Sequence, residues 1–140
     1  MLYIEDGKKY IRANDHSILW ITDKEGNNGK YKFIKWFCFN HPKVSAKNPF
    51  GTTAQLRSSI LKLGPKSVYF IETPPTTDEK KFIGAITVLK EIKEGLIVSN
   101  TGENLFMLPP HVIIFSNENC PMSEDRWKVF EIKDKKLESI

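Results

Sequence analysis

Ile18-Leu19-Trp20-Ile21-Thr22-Asp23-Lys24-Glu25-Gly26-Asn27-Asn28-Gly29-Lys30 decides the fold: an apolar stretch runs into a glycine-punctuated loop that closes on Gly-Lys. Five nearly all-apolar residues, Ile18 to Thr22, predict a central strand covered on both faces. Glycines let backbone N–H groups turn inward around an anion, the lysine adds a mobile positive charge, and a helix that follows points its N-terminus at the same anion. The same letters also suit a hairpin turn, because Lys30-Tyr31-Lys32-Phe33 alternates like a strand. Phe33, Ile34, Trp36 and Phe37 then keep helical spacing, which favours a helix ending by Asn40, ahead of Pro42.

Downstream, Thr52 to Gly64 reads as a second helix with a Thr cap and a Gly stop. Ser67-Val68-Tyr69-Phe70-Ile71-Glu72 is a short apolar strand ending in an acid, and a carboxylate there points into the crevice where ligands of open α/β sheets bind. Thr76 and Glu79 form a capping box for a helix whose apolar stripe is Phe82, Ala85, Ile86, Leu89 and Ile92 and whose stop is Gly95. Leu96-Ile97-Val98 and Leu105-Phe106-Met107 flank a polar tip, a hairpin pattern. Val112 to Phe115 is a third buried strand, closing on Ser116-Asn117, and Trp127 to Ile132 is the last strand. Residues 1–17 read as a polar lead-in and 133–140 as a charged tail. Strands and helices alternate, so the expected fold class is α/β, a mostly parallel central sheet flanked by helices with one functional edge.

At 140 residues the chain suits one domain with its own core. No apolar run is long enough to cross a bilayer, and Met1 to Arg12 lacks the apolar centre of a signal peptide, so an intracellular protein without a membrane partner is expected. Cys38 and Cys120 read as two thiols; Cys38 with His41 has metal-ligand spacing, but no pairing with His111 or Cys120 completes a zinc motif. The net charge of +4 conceals an asymmetry: residues 24–66 carry nine Lys or Arg against one Glu, a balance of +8, and residues 67–140 come to −3. Lysines 30, 32, 35, 43, 47, 62 and 66 with Arg57 make a phosphate-bearing partner one reading and a solvated face the other.

The wording and order of "WITDKEGNNGK", "VYFIETPP", "LKEIKEGLIVS", "LPPHVIIFSN" and "MSEDRWKVFEI" resemble the superfamily 3 helicase domain of replication-associated proteins from circular single-stranded DNA viruses and related plasmids. The resemblance covers roughly residues 18–132, a domain-length match. It implies a P-loop NTPase fold of the AAA+-like kind, with ATP and Mg²⁺ as cofactors. It makes Gly26, Asn27, Asn28, Gly29, Lys30 and Tyr31 the phosphate-binding loop, Glu72 the acid that holds Mg²⁺ or polarises water, and Asn117 the sensor amide. Arg126 becomes a finger reaching a neighbouring subunit's nucleotide. Lys93, Ser99, Asn100, Thr101 and Asn104 fall in the region that touches single-stranded DNA or RNA in the channel of a homo-oligomeric ring, for instance a hexamer. Such a protein works inside a host cell, in the nucleus for a eukaryotic virus and otherwise in the cytoplasm.

The resemblance also implies a nicking domain with a paired-histidine metal motif and a nucleophilic tyrosine in full-length relatives; this sequence looks like the helicase part alone. Tyr31 stands where Ser or Thr usually supplies a hydroxyl to Mg²⁺. Bland readings exist for single residues: Asn117 as a turn former, Arg126 as the partner of Glu124 or Asp125, Lys93 on a solvated helix face. The expected function is an ATP-dependent helicase or ATPase of rolling-circle replication. The alternative is a nucleic-acid-binding module with a degenerate nucleotide site, in which the +8 segment carries the affinity.

Overall fold

The computed structural model describes residues 17–24, 29–48, 50–73, 79–99, 101–122, 126–133 and 136–139. Strand β1 (Ile18–Thr22) is buried along its whole length, as its unbroken apolar sequence requires. Helix α1 (Lys30–Asn40) begins directly after Gly29 and ends at the expected residue. Strand β2 (Ser45–Asn48) follows, then helix α2 (Thr53–Leu63). The Thr52 hydroxyl accepts the Gln55 N–H at 3.2 Å and the Gln55 side chain accepts the Thr52 N–H at 3.0 Å, a complete capping box.

Strand β3 (Val68–Glu72) and helix α3 (Glu79–Glu94) come next; the expected Thr76 cap lies outside the described residues. Gly95 then hands α3 over to the hairpin of β4 (Leu96–Val98) and β5 (Asn104–Phe106). Its φ of +85° and the 2.1 Å that would separate a Cβ from the Met107 carbonyl oxygen both demand glycine. Strands β6 (His111–Ser116), β7 (Trp127–Lys133) and β8 (Lys136–Ser139) complete the chain.

The sheet order is β2-β3-β6-β1-β7-β8, with the first five strands parallel and β8 antiparallel to β7. The expectation of an α/β fold with a mostly parallel central sheet flanked by helices therefore holds. Alternation along the strands divides the core between the two faces. Leu19, Ile21, Phe70, Ile113 and Phe115 meet Phe33 and Ile34 of α1. Ile18, Trp20, Tyr69, Ile71, Val112 and Ile114 meet Leu56 and Ile60 of α2 and Ala85, Val88, Leu89 and Ile92 of α3. The opposite placement of α1 follows from connectivity: the chain leaves central β1 for the far edge strand β2, then works back through β3 to β6 with its helices on the other side.

Two elements depart from the expectation. Ser45-Ala46-Lys47-Asn48 has no β-branched or aromatic residue, so its propensity conceals β2; parallel pairing with β3 makes it a strand. Residues 136–139, expected within a charged tail, form β8, and a charge-rich sequence is suited to a sheet edge because it discourages further pairing.

The basic residues also divide. Arg57, on α2, makes a two-pronged ion pair with Glu91 of α3 at 2.7 and 3.0 Å, and this hydrogen bonding raises the guanidinium pKa above its ordinary value. Arg57 thus ties two helices together on the face away from α1, and leaves the basic group of the glycine loop. Among the described residues, no helix is long and apolar enough to cross a membrane.

Candidate functional site

Parallel strands end together, so side chains far apart in sequence converge at the carboxyl edge of the sheet. Phe70 and Phe115 face α1; Glu72, two residues beyond Phe70 and the register partner of Phe115, follows on the same side, and Asn117 comes just after the end of β6. Lys47 is the register partner of Phe70 and shares that face. The first residues of α1, Lys30 and Tyr31, start from the same edge.

Gly29 precedes α1 in the left-handed region, φ 83° and ψ 15°, a conformation that a side chain would strain. Among the described residues no side chain caps this helix, and no acid stands in its first turn, in contrast with the closed capping box of α2. An uncapped N-terminus beside a lysine favours an anion, through the partial positive charge of the helix end and its outward N–H groups.

The Lys30 ammonium donates a hydrogen bond to Asn117 Oδ1, joining the end of β1's loop to the end of β6. Asn117 is held on both sides. The Thr73 hydroxyl donates to Ser116 Oγ at 2.8 Å, and Ser116 Oγ also accepts the Glu118 N–H at 3.1 Å. The Glu118 carbonyl accepts the Trp20 indole N–H at 3.1 Å and the Thr22 hydroxyl at 3.2 Å. The Asp23 N–H donates to the Ser116 carbonyl at 2.7 Å, and the Asp23 side chain is buried. Trp20, Thr22, Thr73 and Ser116 therefore fix the backbone on either side of Asn117, and none of them was singled out from sequence. The signal was weak, since a Trp or Thr inside an apolar strand reads as core.

Glu72 lies at the end of β3 as expected, and its Oε1 is 3.1 Å from the Lys47 ammonium. That ammonium also sits 5.2 Å from the centroid of the Tyr31 ring, itself 60% exposed. Lys47 thus meets both Glu72 and Tyr31. Sequence reading placed Lys47 only in the basic run, because β2 was not visible there. Among the described residues, no group of three or more His, Cys, Asp or Glu side chains forms a protein-only metal site. A divalent cation at Glu72 would draw its remaining ligands from phosphate oxygens and water, as Mg²⁺ commonly does.

Other expected site residues lie elsewhere. Gly26, Asn27, Asn28 and Asn100 fall outside the described residues. Arg126 precedes β7 at the amino edge of the sheet, where it pairs with Glu94 at 2.9 Å; Glu124 and Asp125, its expected partners, lie outside the described residues. The sheet separates it from Lys30 by about six residues of strand, roughly 20 Å, so it has no reach to the site of its own copy.

Lys93 is corrected on both of its expected readings. It is 2% exposed and donates to the Pro110 carbonyl at 2.7 Å, so it neither faces solvent nor stands open to a nucleic-acid phosphate. Its place in the last turn of α3 also suits the negative end of the helix. Ser99, Thr101 and Asn104 do occupy the exposed part of the hairpin or its margin. The Ser99 hydroxyl is engaged within the loop, accepting the N–H groups of Thr101 and Glu103 at 3.2 and 3.1 Å.

No protein-family model matches the chain, and no curated protein matches it significantly.

Proposed function

We propose that this chain is an ATP-dependent helicase or ATPase domain resembling those of superfamily 3, with its nucleotide site at the carboxyl edge of the sheet. One observation carries the reading: Lys30, at a helix N-terminus whose N-cap Gly29 has no side chain, is bonded to Asn117, the residue just after the neighbouring strand β6. In this reading Lys30 exchanges Asn117 for the β and γ phosphates, and Asn117 then orients the attacking water. Glu72, on the same face and edge, polarises that water. Arg126 acts across a ring interface, on the nucleotide of the next copy.

The residues present fit a triphosphate, since Lys30 and the α1 N-terminus offer positive charge and N–H donors without an opposing first-turn acid. They also fit Mg²⁺, for which Glu72 offers a hard oxygen donor. Mg²⁺ would supply charge neutralisation on the transferring phosphate. The test is ATP hydrolysis with Mg²⁺, with and without single-stranded DNA, across protein concentration. Turnover that rises steeply with concentration and with DNA supports a shared site; no turnover under any of these conditions removes the enzyme reading.

The Lys47–Glu72 pair supports a second reading, a nucleic-acid-binding module whose nucleotide site has lost turnover. Lys47 already neutralises the acid that a metal would need, and Tyr31 offers no aliphatic hydroxyl. Lys47→Met tests whether this pair competes with the metal in an active enzyme. It should lower the Mg²⁺ concentration for half-maximal hydrolysis by a few-fold, because a solvent-accessible pair of this kind contributes only about 0–1 kcal/mol. An unchanged Mg²⁺ dependence in an active enzyme would mean that Lys47 does not compete with the metal.

A further inference from the structure

The outward side of α1 is unusual for a helix that covers a sheet. Lys32, Lys35, Trp36 and Phe39 are all exposed and follow the i, i+3, i+4, i+7 spacing that puts them on one stripe. Trp36 is 46% exposed and Phe39 81%. An outer stripe is normally mostly polar, and two large rings set between lysines are more apolar surface than a solvated face calls for. Lys43 is also exposed, in the turn beyond the helix. Phe33 stacks on Trp36 at 6.4 Å between centroids and His41 meets it edge-on at 6.1 Å, so the ring is supported from beneath while part of it stays open to solvent.

We propose that this stripe is a binding surface for single-stranded nucleic acid. Charge identifies the partner as a polyanion: from residue 26 to residue 71 the chain contains no Asp or Glu at all. The rings identify it as one with open bases. Stacking on aromatic side chains needs an exposed base face, which a single strand offers and a duplex conceals. From Lys32 to Phe39 the stripe runs about 10 Å along the helix, long enough for a few nucleotides. The β4–β5 hairpin is the poorer surface, since residues 96–108 contain no Lys or Arg and include Glu103. Because α1 starts at Lys30, a strand laid along it would bear on the helix whose N-terminus forms the proposed nucleotide site.

This inference rests on the nucleic-acid part of the function proposed above and not on hydrolysis. The probe is a fluorescein-labelled oligothymidylate, followed by polarisation over a salt series, with quenching of intrinsic tryptophan fluorescence as a second readout. Trp20 and Trp127 are buried, so quenching by stacked bases reports Trp36. The Trp36→Ala/Phe39→Ala variant should bind roughly tenfold or more weakly. Lys32→Gln/Lys35→Gln should lower the salt slope by about 1.4, two phosphates at roughly 0.7 each. The lysine variant should melt like the wild type, the ring variant should lose a few degrees in Tm while staying folded, and both should keep any response to ATP.

Unchanged affinity in the ring variant overturns the proposal. So does equal affinity for blunt duplex DNA, binding to anionic lipid vesicles in place of the oligonucleotide, or no binding by the wild type. Oligonucleotide binding without any ATP response would sink the ATPase reading and leave this surface standing.

Discussion

Lys30→Ala is expected to lower ATP hydrolysis by at least about a hundredfold in kcat/KM, the scale associated with losing one preorganised charge-stabilising group. Lys30 is half-buried at the first position of α1, and its ammonium is already aimed across the carboxyl edge at Asn117. Removing it takes away the cation nearest the helix N-terminus and leaves backbone N–H groups alone to hold phosphate. Its contribution to folding is small, since partly exposed substitutions of this kind usually stay within about 0.5 kcal/mol. Steady-state hydrolysis assayed beside urea unfolding separates the two effects. Retained hydrolysis in a folded Lys30→Ala protein would remove the assignment.

Trp20→Ala should produce the largest loss of stability, about 3–5 kcal/mol by the range for a fully buried Trp, against a total of about 5–15 kcal/mol for a domain. Trp20 is 1% exposed in the middle of β1, with Phe82 and Trp127 around it at 5.7 and 6.4 Å between centroids. Alanine there opens a cavity between the sheet and α3 and also deletes the indole N–H that reaches the Glu118 carbonyl. Trp20→Phe separates these terms. It keeps most of the volume and should cost about 1–2 kcal/mol in unfolding, because the Thr22 hydroxyl still serves that carbonyl. In an active enzyme, Trp20→Phe should nevertheless reduce kcat, since it loosens the turn that presents Asn117. Equal stability of Trp20→Ala and wild type would contradict the packing account; a changed kcat in Trp20→Phe with unchanged stability would make the tether purely positional.

The fold was legible wherever burial imposed a pattern. A strand covered on both faces must be apolar throughout, so Ile18–Thr22, Val68–Glu72 and the core of His111–Ser116 announce themselves. Helices with ends fixed by Thr52, Gly64 and Gly95 were equally plain. Ser45–Asn48 was hidden because its strand character comes from pairing with β3 and not from its own side chains. That omission also hid Lys47, whose relation to Glu72 exists only once the two strands lie side by side.

Long-range polar contacts were illegible for the same reason. No spacing rule links Arg126 to Glu94, Arg57 to Glu91, or Lys93 to the Pro110 carbonyl. Lys93 shows the limit of charge reading most clearly, as a lysine in a helix that sequence assigns to solvent or to nucleic acid lies inside. Lys30, Glu72 and Asn117 were legible because each ends or follows an apolar strand, and a parallel sheet brings such ends to one edge.

The proposed function stands on Lys30 and the α1 N-terminus binding a nucleoside triphosphate. Thermal unfolding of the wild type and of Lys30→Ala, each with and without excess ATP, tests it most directly, because a ligand that binds only the native state stabilises by about 2.7 kcal/mol at a hundred times its Kd. The account predicts a rise in Tm with ATP for the wild type and none for Lys30→Ala. A wild-type Tm indifferent to ATP, or an equal rise in both proteins, would contradict it.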